Sequence, residues 1–324
     1  MSDKKKVLVT RKWPAAVEDR LKQLYDVTLN VSDVPMSGAE IRQALKDYDA
    51  VCPTVSDKVD AAVLDVQNPR AKILASYGVG YSHIDTEAAR KAGLAVTNTP
   101  EVLSECTADL AITLMLMAAR RAGEGEREVR AHKWTGWRPT HMIGTKVSGG
   151  VFGVLGFGRI GREAAKRAHF GFGMKVIYFD PFPVKPELAA ETGAEQRATI
   201  EEVLKEADVV SLHMPGGKDN YHLINDARLS LMKPTAILVN TARGEVVDGV
   251  ALANALKKGV IKGAGLDVFE GEPRIVTDLY ECENVVLLPH LGSATASTRE
   301  AMGWRVLENL EAFFAGSTPR DRVA

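Results

Sequence analysis

Three short polar segments, each placed directly after an apolar run, carry the side chains best suited to chemistry in this 324-residue sequence. They are Asn240–Gly244, Gly265–Pro273 and Pro289–Ala294. The carboxyl ends of parallel strands meet at one edge of a sheet, and ligands of open α/β folds bind there. We therefore expect the three segments to converge on one crevice, although an arginine or a histidine alone would more often be structural.

Arg243, Glu272 and His290 are the members of these segments whose types fit one reaction. A guanidinium at a strand end can bind a carboxylate through two parallel hydrogen bonds. A histidine, whose free imidazole titrates near pH ~6.5, can give a proton to an oxygen that gains negative charge and accept it in the reverse direction. A carboxylate on the other ring nitrogen would raise the imidazole pKa and fix its tautomer.

A glycine-rich turn precedes these segments and has the features of a nucleotide site. Between the apolar runs 151–155 and 175–179 lies Gly156-Phe157-Gly158-Arg159-Ile160-Gly161, which leads into a predicted helix. Gly156 permits the tight turn, Gly158 lets a pyrophosphate approach the backbone, and Gly161 lets the helix pack closely. Asp180, 19 residues past Gly161, is placed to accept hydrogen bonds from an adenosine ribose. The pattern is the dinucleotide-binding fingerprint in its required context.

Together, the glycine turn and the three polar segments predict hydride exchange between a nicotinamide cofactor and a 2-keto or 2-hydroxy acid. The cofactor would give hydride to the keto carbon, and His290 would give a proton to the carbonyl oxygen. Arg243 would hold the carboxylate and polarise the carbonyl.

Strands and helices alternate both before and after the glycine turn, which predicts an α/β protein with two parallel-sheet domains. A chain of 324 residues also exceeds the usual size of a single core. A long helix predicted over 297–314 is placed to pack back on the first domain. We therefore expect a discontinuous substrate domain, 1–101 with 290–324, and an NAD-binding domain at 102–289.

A long helix capped by Ser104 or Thr107 is predicted after the proline turn at residues 98–100. It is apolar over most of its circumference, so it must be buried on several sides, either within its domain or against a second subunit. Trp134 and Trp137 follow on a loop. They either pack against the neighbouring helix or reach across a dimer interface toward a site.

The composition excludes several classes of partner. The net charge of −1 provides no basic field for nucleic acid, and the longest apolar run, 110–119, is too short to span a bilayer. The three cysteines are widely spaced without a metal-ligand pattern, and the charged N-terminus does not resemble a signal peptide. We expect a cytoplasmic protein with no nucleic-acid partner, no membrane partner and no bound metal.

The sequence resembles the D-isomer-specific 2-hydroxyacid dehydrogenases, and within them the glyoxylate/hydroxypyruvate reductase (D-glycerate dehydrogenase) branch. The motifs that carry the resemblance are Gly78-Val79-Gly80 with His83-Ile84-Asp85, Val96–Pro100, Thr107–Leu110, Trp134 with Trp137, Gly156–Gly161, Asn240–Gly244, Gly265–Pro273 and Pro289–Thr295. The resemblance implies NAD(H)-dependent reduction of a small 2-keto acid, glyoxylate or hydroxypyruvate, to the D-2-hydroxy acid. It further implies a flavodoxin-like substrate domain, a Rossmann domain and a cleft that closes on the substrate.

The resemblance also implies a set of site residues. Catalysis is assigned to Arg243, Glu272 and His290. Cofactor contacts are implied for Thr107, Gly156, Phe157, Gly158, Arg159, Ile160, Gly161, Asp180, His213, Pro215, Thr241, Ala242, Asp267, Gly292 and Ser293. Substrate contacts are implied for Val55, Val79, Gly80, Arg243, His290 and Trp137, with the backbone amides of Val79 and Gly80 on the carboxylate.

Two of these assignments concern particular roles. Asp267 would hold the nicotinamide carboxamide, the alternative being that it only caps a strand end. A homodimer is implied as well, with the arm around 107–122 at the interface and Trp137 lining the partner's pocket.

Two positions depart from the family pattern or refine it. Gly216-Gly217-Lys218 replaces the usual polar turn after His213-Met214-Pro215, and we expect altered local contacts there without loss of activity. Asp180 stands where reductases that use NADPH tend to have a small or basic residue. Because a carboxylate would repel a 2′-phosphate, NAD(H) is predicted over NADP(H).

Other functions share this architecture. Formate dehydrogenases typically pair their histidine with glutamine, so Glu272 argues against that reaction. A 3-phosphoglycerate dehydrogenase stays an alternative, although the sequence shows no C-terminal regulatory extension. An NAD(H)-sensing corepressor is an alternative of another class, since its relatives share the Arg–Glu–His set. Turnover of NADH with keto acids would distinguish the enzyme from the sensor.

Overall fold

The computed structural model describes residues 4–324, which form two compact units. The first unit ends at Leu103 and resumes at Ser293, and the second comprises Ser104–Gly292. The divisions fall a few residues beyond the predicted domain boundaries at 101 and 290. Among the described residues, no helix combines the length and the apolar character needed to cross a bilayer.

The first unit is built on a five-stranded sheet in which all neighbouring strands are parallel. Its elements are β1 (Lys6–Val9), α1 (Ala15–Leu24), β2 (Asp26–Leu29), α2 (Gly38–Asp47), β3 (Ala50–Cys52), α3 (Ala61–Leu64), β4 (Ile73–Ala75), α4 (Thr86–Lys91) and β5 (Ala95–Thr97). The strand order, β2-β1-β3-β4-β5, is the flavodoxin-like order. Every residue of β3, β4 and β5 is buried, as in parallel sheets covered by helices on both faces.

The second unit is built on a seven-stranded parallel sheet. Its elements are α5 (Ser104–Ala119), α6 (Ala122–Arg130), β6 (Val151–Leu155), α7 (Arg159–Lys166), β7 (Lys175–Phe179), α8 (Pro186–Ala190), β8 (Glu195–Gln196), α9 (Ile200–Glu206), β9 (Val209–Leu212), α10 (Asp226–Leu229), β10 (Ile237–Asn240), α11 (Gly249–Lys257), β11 (Gly263–Leu266), α12 (Thr277–Tyr280) and β12 (Val285–Leu287). The order β12-β11-β10-β9-β6-β7-β8 is the Rossmann arrangement extended by one strand. The predicted α/β class with two parallel sheets is therefore confirmed.

The chain returns to the first unit through α13 (Ala296–Phe314). The buried Arg305 of this helix pairs with both carboxylate oxygens of Asp321, at 2.5 and 3.0 Å. This pair fixes the C-terminal segment, in which the Val323 N–H donates to the Val96 carbonyl of β5. The long C-terminal helix thus belongs to the same unit as the first five strands.

Helix α5 is buried within the second unit. A Cβ added at Gly265 of β11 would lie 2.8 Å from the Leu114 Cβ, so this helix packs directly on the sheet. Eight of its sixteen residues are buried inside its own unit, and contact with a second subunit stays a prediction. Of the two tryptophans that follow, Trp134 is 55% exposed and Trp137 is 83% exposed.

The glycine turn between β6 and α7 has a geometry that only glycine permits at two positions. Gly156 adopts a left-handed φ of 88°. A Cβ added at Gly161 would lie 2.2 Å from the Gly156 carbonyl oxygen, so α7 approaches the turn too closely for any side chain there. Gly158, in contrast, has φ −70° and open space where a Cβ would project.

These contacts predict opposite outcomes for two alanine substitutions in the same turn. Gly161→Ala should lower the free energy of unfolding by about 1–3 kcal/mol, because its methyl group must displace backbone rather than a flexible side chain. Gly158→Ala, the matched control, should leave that free energy unchanged within about 0.5 kcal/mol. Urea unfolding of the cofactor-free protein measures both. Equal losses in the two variants would contradict the packing described for α7.

Candidate active site

The three polar segments leave the same edge of the second sheet. Strands β10, β11 and β12 are neighbours, and their last residues are in register, with Asn240 opposite Leu266 and Leu266 opposite Leu287. The segments that follow carry Arg243, Glu272 and His290 from adjacent strand ends. The parallel sheet therefore brings three side chains from distant parts of the sequence to one place.

Glu272 and His290 form a hydrogen-bonded couple. The His290 Nδ1 lies 2.9 Å from the Glu272 Oε2, and the Phe269 N–H donates to the other carboxylate oxygen at 2.9 Å. Among the described residues, His290 Nε2 has no hydrogen-bond partner and is left for a ligand. About a third of each side chain is exposed, 32% for His290 and 35% for Glu272.

Electrostatics keep the Glu272 carboxyl group ionised. Burial raises the pKa of Glu272, but the His290 hydrogen bond and charge, the Phe269 N–H and the Arg243 charge together hold it below its usual value. An ionised carboxylate can only accept hydrogen bonds, so Nδ1 of His290 carries the hydrogen in this contact. The ring is thereby fixed with Nε2 as the nitrogen that exchanges a proton with a ligand.

Asp267 holds the backbone that carries His290. Its two carboxylate oxygens accept the N–H groups of Leu291, at 2.6 Å, and Gly292, at 2.8 Å, while its carbonyl accepts the His290 N–H at 2.9 Å. His290 adopts a left-handed φ of 56°, which costs on the order of 1–3 kcal/mol and persists only where neighbouring contacts enforce it. Burial raises the pKa of Asp267, and the two N–H donors oppose that effect. Asp267 thus caps the strand end, and its contact with the nicotinamide carboxamide stays a prediction.

Arg243 is half-buried beside this couple. Its guanidinium donates to the Ala242 carbonyl at 2.6 Å. Burial lowers the pKa of Arg243, whereas the carboxylates of Glu245 and Glu272 act in the opposite direction. Asn240, which the sequence reasoning did not single out, shapes the loop, since its side chain accepts the Ala242 N–H and donates to the Arg243 carbonyl, both at 3.0 Å. A buried asparagine at the end of an apolar strand was the available signal.

The strand ends also present polar atoms that suit a dinucleotide. The Thr241 Oγ1 and the His213 Nδ1 are buried without a hydrogen-bond partner among the described residues. Burial lowers the pKa of His213 to about 3, so its ring is neutral at pH 7, with Nε2 2.8 Å from the Ser211 hydroxyl. Buried polar atoms are normally paired, so these two are suited to a bound ligand. Together with the open space at Gly158, they show that the residues present fit a nicotinamide dinucleotide.

Asp180 lies at the end of β7, next to the glycine turn. One of its carboxylate oxygens accepts the Phe157 N–H at 2.8 Å and the other accepts the Phe182 N–H at 2.9 Å. Phe157 itself is buried and stacks on Tyr178, with ring centroids 4.1 Å apart. The Asp180 carboxylate is therefore held in place by a backbone N–H of the glycine turn.

The other predicted cofactor residues of this unit surround the same edge. Thr107 donates to the Gly292 carbonyl at 3.1 Å, Arg159 and Ile160 begin α7, and Pro215 is exposed after His213. Ser293 opens the segment that returns to the first unit.

The predicted substrate residues Val55, Val79 and Gly80 belong to the first unit. The Val55 Cγ1 would lie 3.0 Å from a Cβ added at Gly78, so Val55 packs on the turn that contains the other two. The Asn98 side-chain amide donates to the Val79 carbonyl at 2.8 Å and fixes that turn.

Comparison with known proteins defines the class of protein that this fold and site represent. Residues 112–292 match the model of the D-isomer specific 2-hydroxyacid dehydrogenase, NAD binding domain. A glyoxylate reductase from Thermococcus litoralis is 46% identical over 99% of this chain and 97% of its own length. The chain is therefore an oxidoreductase with a nicotinamide cofactor.

Two solved structures extend the similarity to the whole fold. A protein from Thermus thermophilus is 42% identical, with a TM-score of 0.88 over 98% of this chain and 100% of that one. An NADPH-dependent glyoxylate/hydroxypyruvate reductase from Sinorhizobium meliloti, solved with NADP and malonate, is 32% identical, with a TM-score of 0.87 over 99% and 97% of the two chains. The chain belongs to the D-isomer-specific 2-hydroxyacid dehydrogenase family.

Proposed function

We propose that the protein reduces a small 2-keto acid, glyoxylate or hydroxypyruvate, to the D-2-hydroxy acid with NADH. The observation that carries the proposal is the Glu272–His290 couple at 2.9 Å, with Nε2 unpartnered and Arg243 at the adjacent strand end. An acid–imidazole couple fits a reaction that moves a proton to oxygen. The relatives named glyoxylate reductase support the choice of substrate.

In this mechanism His290 and Arg243 have separate roles. The nicotinamide, when bound, supplies the hydride. His290 donates the proton on Nε2 to the carbonyl oxygen, and Glu272 stabilises the imidazolium before that transfer. Arg243 holds the substrate carboxylate and polarises the carbonyl, a role suited to its planar fork of donors. The backbone amides of Val79 and Gly80 are proposed as further donors to the carboxylate.

Cofactor contacts follow from the same edge of the sheet. Asp180 would accept the adenosine ribose hydroxyls, and His213 and Thr241 would use their unpartnered atoms on the dinucleotide. Asp267 would also accept a hydrogen bond from the nicotinamide carboxamide. Because its carboxylate would repel a 2′-phosphate, Asp180 favours NAD(H) over NADP(H).

A homodimer completes the proposal. Trp137, 83% exposed on the segment after α6, would line the pocket of a second copy. The arm around residues 107–122 would contribute to the interface.

The direct test of the function is NADH oxidation at 340 nm with glyoxylate or hydroxypyruvate, together with a His290→Gln variant. That substitution should lower kcat by about 10²–10⁴, because the general acid is lost. NADH affinity, measured by fluorescence titration, should stay within a factor of about three. Tight NADH binding by the unsubstituted protein without turnover of any keto acid would contradict the enzyme and support an NAD(H) sensor.

Glu272→Gln should remove the negative charge next to His290 and leave His290, the general acid, in place. Reduction requires protonated His290, so the rate falls on the alkaline side as the imidazole loses its proton. Glu272 is ionised across this range because its pKa lies below the usual value, so its negative charge favours the imidazolium. Removing that charge should move the alkaline limb of the pH–rate profile toward acid by about one pH unit. A limb that stays in place would show that the two groups are uncoupled.

Asp180→Ser should change the choice of cofactor. The unsubstituted protein should have the higher kcat/KM with NADH, and the variant should raise the NADPH-to-NADH ratio of kcat/KM by about 10–100-fold through loss of like-charge repulsion. Steady-state kinetics with both cofactors at fixed glyoxylate gives the ratio. The assignment fails if NADPH is already preferred or if the ratio does not change.

A further inference from the structure

Glu270 is held by two consecutive residues from a distant part of the sequence. Its Oε1 accepts the Tyr221 hydroxyl at 2.9 Å, and its Oε2 lies 2.8 Å from the His222 Nε2. The two rings stack with centroids 4.0 Å apart and planes 14° from parallel, so they present their polar atoms to the same carboxylate. The other nitrogen of His222 faces Asp248 at 3.7 Å. We call Tyr221, His222 and Glu270 the Glu270 brace.

The backbone of the brace is also fixed. The His222 N–H donates to the Glu245 carbonyl at 2.8 Å, and His222 adopts a left-handed φ of 47°. Such a conformation in a residue other than glycine persists where its surroundings enforce it. The Tyr221–His222 dipeptide is therefore anchored on the segment that begins with Arg243.

The brace acts on the short segment that carries Glu272. Glu270 lies two residues before Glu272, and the Phe269 N–H donates to the Glu272 Oε1 at 2.9 Å. The peptide between Phe269 and Glu270 is seated on Gly244, where an added Cβ would lie 1.8 Å from the Phe269 carbonyl carbon. The backbone of this segment therefore lies against Gly244, and the Glu270 side chain is held by Tyr221 and His222.

We propose that Tyr221, His222 and Glu270 are positioning residues that keep Glu272 in hydrogen-bonding distance of His290. The inference rests on the proposed role of the Glu272–His290 couple. Its physical reason is that the segment from 269 to 273 contains no helix or strand, so its geometry depends on such contacts. A misplacement of about 1 Å in a catalytic constellation can cost 10²-fold in rate. The brace should therefore affect kcat and the His290 limb of the pH profile, and not NADH affinity.

The test compares pH–rate profiles of Glu270→Ala, Glu272→Gln and the double variant. Glu270→Ala should lower kcat about tenfold and move the alkaline limb toward acid, in the same direction as Glu272→Gln. The double variant should show no shift beyond that of Glu272→Gln, because the brace acts through Glu272. Glu270→Gln can still accept the Tyr221 hydroxyl and reach His222. It should therefore keep most of kcat and leave the alkaline limb close to its position in the unsubstituted protein.

Glu281→Ala is the matched control, since it removes an exposed carboxylate with a lysine partner, Lys257 at 2.8 Å, elsewhere in the same unit. It should leave kcat and the limb unchanged. Tyr221→Phe, which removes a single hydroxyl, should give a smaller limb shift in the same direction and covers the case in which Glu270→Ala does not fold.

The possible failures are distinguishable. If Glu272→Gln moves the limb but Glu270→Ala and Tyr221→Phe leave it in place, the brace is overturned and the proposed couple stands. Additive shifts in the double variant would also overturn the brace, because Glu270 would then act independently of Glu272. If Glu272→Gln itself leaves the limb unmoved, the couple fails and the brace with it.

Discussion

A hydrogen bond of 2.9 Å from His290 Nδ1 to Glu272 Oε2 joins two segments that have no regular secondary structure of their own. Both segments follow strand ends, and each is held by groups on nearby segments of the same chain. Asp267 ties the histidine backbone with three hydrogen bonds, and the Phe269 N–H ties the glutamate. The site therefore depends on a charged contact that is one-third exposed and on the buried contacts behind it.

The parallel sheet explains how such a contact arises from residues far apart in sequence. Three neighbouring strands end in register, so the loops after them open on the same edge. Each loop then contributes one member of the Arg243, Glu272 and His290 set, and buried side chains such as Asn240 fix the loop shapes. Each strand thus contributes buried side chains that stabilise the fold, and the loop that follows it contributes a reacting group.

The sequence allowed the strand ends and the glycine turn to be predicted because apolar runs and glycines have strong local signals. The same reasoning missed β8 and α8, since a two-residue exposed strand and a five-residue helix bury too little to leave a periodic pattern. It predicted a plain helix after the glycine turn, whereas Arg167–Gly171 form a π-helix. The sequence also predicts a helix over 59–65, whereas α3 begins only at Ala61, because Asp60 caps it by accepting the Val63 N–H.

Among the residues of the site, some could be predicted from the sequence and others could not. Arg243, Glu272 and His290 could be singled out because each follows an apolar strand, but the partners that orient them could not. Tyr221 and His222 lie about 50 residues before the carboxylate that they contact. Such contacts depend on tertiary structure and leave no local periodicity, so only the folded chain reveals them.

The most direct measurement is a crystal structure of the protein with NADH and oxamate, an unreactive analogue of small 2-keto acids. The account predicts the oxamate carboxylate on the Arg243 guanidinium and the amide carbonyl oxygen about 2.6–3.2 Å from the His290 Nε2, with the Glu272 contact intact. An oxamate bound away from Arg243, or an imidazole turned so that Nε2 cannot reach the carbonyl directly or through one water, would contradict it.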